Sequence, residues 1–176
     1  MVSFHITHKS PDIMVPIFKA LVRPILEYGN VVWSPRSRKH IDHIEKVQKR
    51  FTKRIIGLKD LNYKTRLELL KLPSLEYRRA RGDMIETYKL THGFYDTETV
   101  GGLFSLHDSN TRGHPYKLTK SRVENSFSYH FFTNRIINTW NNLPPSVVTA
   151  GTLNTFKTLI DKHWQEYIYS ININLV

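Results

Sequence analysis

Apolar and polar positions alternate with a helical period along most of the chain. Ser10, Pro11 and Asp12 read as a helix start: a capping hydroxyl, a proline where no amide partner is needed, and an acid at the positive dipole end. That helix is predicted to reach about Trp33. Pro16 falls harmlessly in its first turns, Pro24 kinks or divides it, and Ser34-Pro35 ends it. From Lys39 to Ile56, residues Ile41, Ile44, Val47, Phe51 and Ile55 fall three and four apart on one helix face, and Gly57 supplies the stop. Lys46, Lys49, Arg50 and Lys53 repeat with the same period on a different face, with Arg54 beside them. This helix therefore has a core side and a cationic side, with Asp42 and Glu45 near its start as the macrodipole prefers.

A shorter helix is predicted over about Tyr63 to Lys71, before Pro73, and Ser74 caps the next, which runs to about His92 and closes at Gly93. Asp96 to Gly102 is acidic, threonine-rich and ends in Gly-Gly, which marks the main boundary or hinge. Leu103 to Arg122 lacks a helical period, with short strands expected around Tyr116 to Thr119. Phe131, Ile136, Ile137 and Trp140 mark a helix ending before Pro144-Pro145. The last spans about Thr152 to Tyr169, with a stripe of Leu153, Phe156, Leu159, Ile160, His163 and Tyr167. The expected fold is mainly α and helical bundle-like, with two small helical subdomains, residues 1–93 and 123–176, around a short irregular or β segment, 94–122. Phe131, Trp140, Phe156 and Leu159 are expected in a core where the C-terminal helices cover an apolar face of the N-terminal ones.

At 176 residues and 40% hydrophobic, the chain can bury a real core. Its 26 Lys and Arg against 15 Asp and Glu give +11. Between Arg36 and Arg81 there are 15 basic and 5 acidic side chains, so that stretch holds +10 and the rest +1. A field localised in this way attracts polyanions, nucleic acid or an anionic membrane surface. The absence of cysteine excludes disulfides and Cys-based zinc sites and fits an intracellular protein. Ile13 to Trp33 is the most apolar stretch, but Lys19, Arg23 and Glu27 interrupt it, so no membrane span is expected.

His5 and His8, and separately His40 and His43, sit three apart, as two metal-binding imidazoles on a helix would, but neither pair has a third ligand nearby. No metal or other cofactor is expected. There is no phosphate-binding glycine loop, nucleophile elbow, close acidic pair or Asp-Asp dipeptide, so nothing signals the clustered carboxylates of two-metal chemistry. The strongest functional signal joins the cationic helix face to Arg78, Arg79 and Arg81 in a later helix, because phosphates need charged donors repeated along one exposed face. Tyr63, Tyr77 and Tyr88 are candidates to stack on bases, although aromatic residues at helical spacing are more often core.

A longer pattern then emerges. The strings Ile17-Phe18-Lys19-Ala20-Leu21-Val22-Arg23-Pro24-Ile25-Leu26-Glu27-Tyr28, Val32-Trp33-Ser34-Pro35 and Ile44-Glu45-Lys46-Val47-Gln48-Lys49-Arg50 come first. Leu72-Pro73-Ser74-Leu75-Glu76-Tyr77-Arg78-Arg79 and Arg81-Gly82-Asp83-Met84 follow. Thr111-Arg112-Gly113-His114, Phe131-Phe132-Thr133-Asn134-Arg135, Trp140-Asn141 and Leu143-Pro144 complete the series. In this order they resemble the C-terminal part of non-LTR (LINE-type, jockey-like) retrotransposon reverse transcriptases, over nearly the whole chain. The resemblance implies the thumb and the region after it, a segment that holds the template and primer duplex by its backbone. The palm with its Ala-Asp-Asp motif and the upstream endonuclease are not in this sequence, so no catalytic residue is carried over to any position and no enzyme activity is expected of this chain alone. The missing polymerase domain is an expected partner.

Two other readings stand beside this one. A basic amphipathic helix such as Lys39 to Ile56 also suits a protein groove or an anionic lipid surface, and the chain also reads as a functionless element remnant that still folds. A groove or lipid binder exposes Ile44, Val47 and Phe51, whereas a nucleic-acid binder buries them and exposes its cations.

Overall fold

A computed structural model describes residues 8–35, 37–96, 105–106, 113–120 and 131–173. The protein is mainly α-helical. α1 (Pro11–Ile17) passes through a π-helical turn, Phe18–Val22, into α2 (Arg23–Glu27). Pro24 explains the turn: its ring would strike the carbonyl of Ala20 in a regular helix, and the wider turn, in which Arg23 N–H donates to the Phe18 carbonyl, makes room. The helix ends at Glu27, six residues short of the expected Trp33, because Gly29 takes a left-handed φ of +64° and turns the chain. A Cβ there would come within 3.2 Å of the Trp33 indole, so glycine is required twice over.

α3 (Arg38–Lys53) is capped by Ser37, α4 (Tyr63–Leu70) by Asn62 and α5 (Leu75–Thr91) by Ser74. The expected helix around Trp140 is two short ones, α6 (Phe132–Arg135) and α7 (Ile137–Asn141), broken at Ile136. Pro144-Pro145 stops α7 and also starts α8 (Pro145–Val148), since proline fits a first helical turn. α9 (Leu153–His163), capped by Thr152, gives way to a 3₁₀ turn, Gln165–Tyr167, before the expected end at Tyr169. In the described part of the segment between the two helical regions, Leu106 and Leu118 form a single antiparallel bridge where short strands were expected. The hinge proposed at Asp96 to Gly102 lies, apart from Asp96, outside the described residues.

Two clusters make the core. The smaller gathers Met14, Ile55, Leu58, Leu67, Leu70 and Leu72. The larger joins Tyr77, Met84 and Tyr88 of α5 to Ile136, Ile137, Trp140, Val148, Phe156 and Ile160. Trp140 and Phe156 are fully buried, and Leu159 packs at the edge. Phe131 is a correction: it is the N-cap of α6, 49% exposed, because the helix starts one residue later and turns it outward.

α5 is the spine to which the other elements are clamped. Glu45 of α3 accepts from the Leu75 and Glu76 amides at its N-terminus. Arg38 forks onto Glu76, whose carboxylate also receives the amides of Asn172 and Ile173. Asp161 of α9 accepts from Tyr77 and Arg81, and Arg135 of α6 pairs with Asp83 at 2.9 Å.

Candidate nucleic-acid interface

The line of α3 that faces the interior is polar: Glu45, Gln48 and Thr52 are essentially fully buried. It is tolerated because each of the three finds partners, with only Gln48 Oε1 left unpaired among the described residues. Glu45 accepts the Tyr63 hydroxyl as well as the two α5 amides. Gln48 donates to the Pro73 carbonyl and to Tyr63, and Thr52 accepts from Arg66. The apolar stripe read from the sequence is thereby rotated to the flank. Phe51 packs on Phe18 with ring centroids 4.7 Å apart, Ile41 and Ile44 are half-buried, and Val47 is 39% exposed.

With a 3.6-residue period, Lys46, Arg50 and Lys53 fall opposite the buried line and are exposed, while Lys49 lies beside it, half-buried. Residues 61–66 run alongside, and between them and α3 lies an open concavity of about 440 Å³. Lys46, Lys49, Arg50 and Lys53 form one wall, and Leu61, Asn62, Tyr63 and Arg66 the other, with no carboxylate among the described residues of either. Arg54, the C-cap of α3, is exposed but outside the concavity. Among the described residues none of these five cations of α3 and its cap forms an ion pair.

Arg66 was not anticipated from the sequence. It is 2% exposed, and its guanidinium donates to Thr52 Oγ1 at 3.1 Å and to the Leu61 carbonyl at 2.7 Å, both neutral acceptors. Its carbon lies 5.5 Å from the Tyr63 ring centroid, and Lys49 Nζ lies 5.2 Å from the same centroid. Burial lowers the Arg66 pKa, yet a guanidinium stays charged at neutral pH. Its signal was visible in hindsight: with Leu67 and Leu70 it completes the inward face of α4, so an arginine stands among apolar positions. Burial and the neighbouring Glu45 push the Tyr63 phenol well above its usual range, which keeps it a hydrogen-bond donor. Burial likewise raises the Glu45 carboxyl, against the pull of that bond. Tyr77 and Tyr88 are core residues at 2% exposure and are not free to stack on bases, whereas Tyr63, tied into α3 by its hydroxyl, is half-buried in the wall of the concavity with Lys49 and Arg66 over its ring.

The arginines of α5 lie elsewhere. Arg78 forks onto Glu27. Arg79, 7% exposed, donates to the Leu26 carbonyl and lies 4.5 Å over the Trp33 ring. Arg81 forks onto Asp161. The structure does not bring these three to the concavity; it uses them to attach α2 and α9 to the spine. His40 and His43 lie on α3 and His5 lies outside the described residues; among the described residues no group of three or more potential ligands could hold a metal ion. No described helix is long and apolar enough to cross a membrane. Compared with family models, curated proteins and solved structures, the chain matches none.

Proposed function

We propose that this chain is a nucleic-acid-binding accessory segment of a LINE-type reverse transcriptase, thumb-like, holding the backbone of a template and primer duplex for a polymerase domain and catalysing nothing itself. The observation that carries the reading is the concavity, in which unpaired cations from α3 stand beside Arg66 with no acid among them. Phosphate neutralisation by such a face is independent of base sequence and strongly salt-dependent. The strings quoted for the family resemblance supply the rest of the proposal, including the polymerase partner and the absence of catalytic carboxylates.

Four lysines and arginines of α3 line the concavity, so the slope of log affinity for a duplex against log salt is expected near roughly −3.6, about −0.9 per phosphate. Changing Arg50 and Lys53 to Gln should make the slope shallower by about two units and weaken all sequences alike. Salt-insensitive binding defeats the proposal, and primer extension by the pure chain defeats its non-catalytic part. Val47, exposed on the same helix, favours a second reading in which α3 docks on a partner or a lipid surface; tight binding to neutral micelles selects it.

A further inference from the structure

We infer that the concavity between α3 and residues 61–66 is a discrete site for a phosphate of high charge density, a phosphomonoester or pyrophosphate group such as one at the end of a nucleic-acid strand. The inference rests on the nucleic-acid reading for the source of that phosphate, and goes beyond it in assigning the concavity a preference for a strand terminus over the phosphates within a backbone.

Charge is the first argument. Lys46, Lys49, Arg50, Lys53 and Arg66 converge on about 440 Å³ with no carboxylate among the described lining residues. A diester phosphate brings one negative charge, a monoester about −1.5 to −2 at neutral pH. A walled cluster of five cations gains most from the second, because the concavity focuses the field. Arg66 is the second argument. Arg38, Arg78, Arg81 and Arg135 each face a carboxylate in this fold, but Arg66 is buried against neutral oxygens. A buried charge with no counter-charge is costly, and an anion entering beside it offsets that cost where water screens least. Shape is the third. A volume of this order matches a small-ligand pocket and leaves room for a terminal phosphate group between its two walls. The Tyr63 ring in the wall is already met by Lys49 at 5.2 Å and Arg66 at 5.5 Å, so selection acts on the phosphate more than on the base.

The test compares short blunt DNA duplexes bearing a 5′-phosphate or a 5′-hydroxyl, by fluorescence anisotropy at fixed salt, alongside calorimetric titration of the full chain with inorganic pyrophosphate. The phosphorylated duplex should bind about fivefold tighter, the worth of one extra solvated charge contact, and pyrophosphate should saturate at one per chain and abolish the difference. Lys49→Gln should remove the preference, while Arg54→Gln, outside the concavity, should keep it. Neither substitution touches a core residue, so both variants fold. Equal affinity for the two duplexes without saturable pyrophosphate binding overturns the inference and leaves the proposed function standing. Saturable pyrophosphate binding with no duplex binding overturns the proposed function and supports the site.

Discussion

Replacing Asp83 with alanine should destabilise the protein more than any change on the cationic face. Asp83 is 8% exposed on α5 and accepts three bonds: Arg135 Nε at 3.0 Å, Arg135 Nη2 at 2.9 Å and Asn30 Nδ2 at 3.1 Å. Without the carboxylate, Arg135 keeps the Asn30 carbonyl at 2.8 Å and Asn30 keeps the Arg79 carbonyl at 3.1 Å, but the largely buried Arg135 guanidinium loses the carboxylate it forks onto. Losing one partner of a buried pair costs about 3–5 kcal/mol. With a urea dependence of about 2 kcal/mol per molar, the unfolding midpoint should fall by roughly 1.5–2.5 M. Burial raises the Asp83 pKa despite Arg135, so the ionised pair is held at a desolvation cost. Asp83→Leu combined with Arg135→Met should therefore be less damaging than the two single losses added together. A midpoint for Asp83→Ala near that of the unaltered protein, or strict additivity in the pair, would refute the view that this buried clasp holds α5, α6 and the turn after α2 together.

Trp140→Ala removes a fully buried indole whose N–H donates to the Tyr116 carbonyl at 2.7 Å, and should cost about 3–5 kcal/mol in denaturant unfolding. Glu45→Gln should be far milder than Glu45→Ala: burial already disfavours the charge, and the amide oxygen still accepts from Tyr63 and one α5 amide, whereas alanine strips the α5 cap for about 1–3 kcal/mol. His114 donates from Nε2 to the Trp140 carbonyl and has a buried Nδ1 without a partner among the described residues; burial lowers its pKa below the usual 6.5. The unfolded state therefore binds more protons, so this stability is complete above about pH 6.5 and drains away as pH falls through the folded pKa. Unfolding midpoints compared across that range should show a steeper acid loss for the unaltered protein than for His114→Gln.

The helices were legible wherever a cap and a period agreed. Ser37, Asn62, Ser74 and Thr152 all cap helices whose starts lie within a residue or two of expectation. The misses have local causes. Periodicity continues through Tyr28 to Trp33, but Gly29 overrides it with a conformation that hydrophobicity does not encode. Phe131 is apolar, but it stands just before the first turn of α6, where the chain turns it outward, a local geometry that hydrophobicity does not encode. The site was half legible: the cationic face of α3 was read directly, because exposed charge at a 3.6-residue spacing needs no tertiary information. The opposite wall was not, since Arg66 becomes part of a site only through the turn that brings residues 61–66 beside α3. The α3 rotation escaped for the same reason: Glu45, Gln48 and Thr52 are buried because their partners stand on α4 and α5, far off in sequence.

Charge alone therefore does not identify the binding surface, and the two arginine groups show why. Arg78 and Arg81 fork onto Glu27 and Asp161, and Arg79 lies against Trp33, so altering any of them tests the fold before it tests ligand binding. The same holds for most of the strings behind the family resemblance: Glu27 meets Arg78, Asn141 clasps the Leu118 backbone, and Trp140 accepts from His114 through its carbonyl. These residues make one clasped structure whatever the chain binds. Only Lys46, Lys49 and Arg50 within those strings face the concavity. A function read through them and Lys53 stands or falls on the outer side of α3, where the exposed Lys46, Arg50 and Lys53 can be altered with little change in stability, whereas the buried Arg66 cannot.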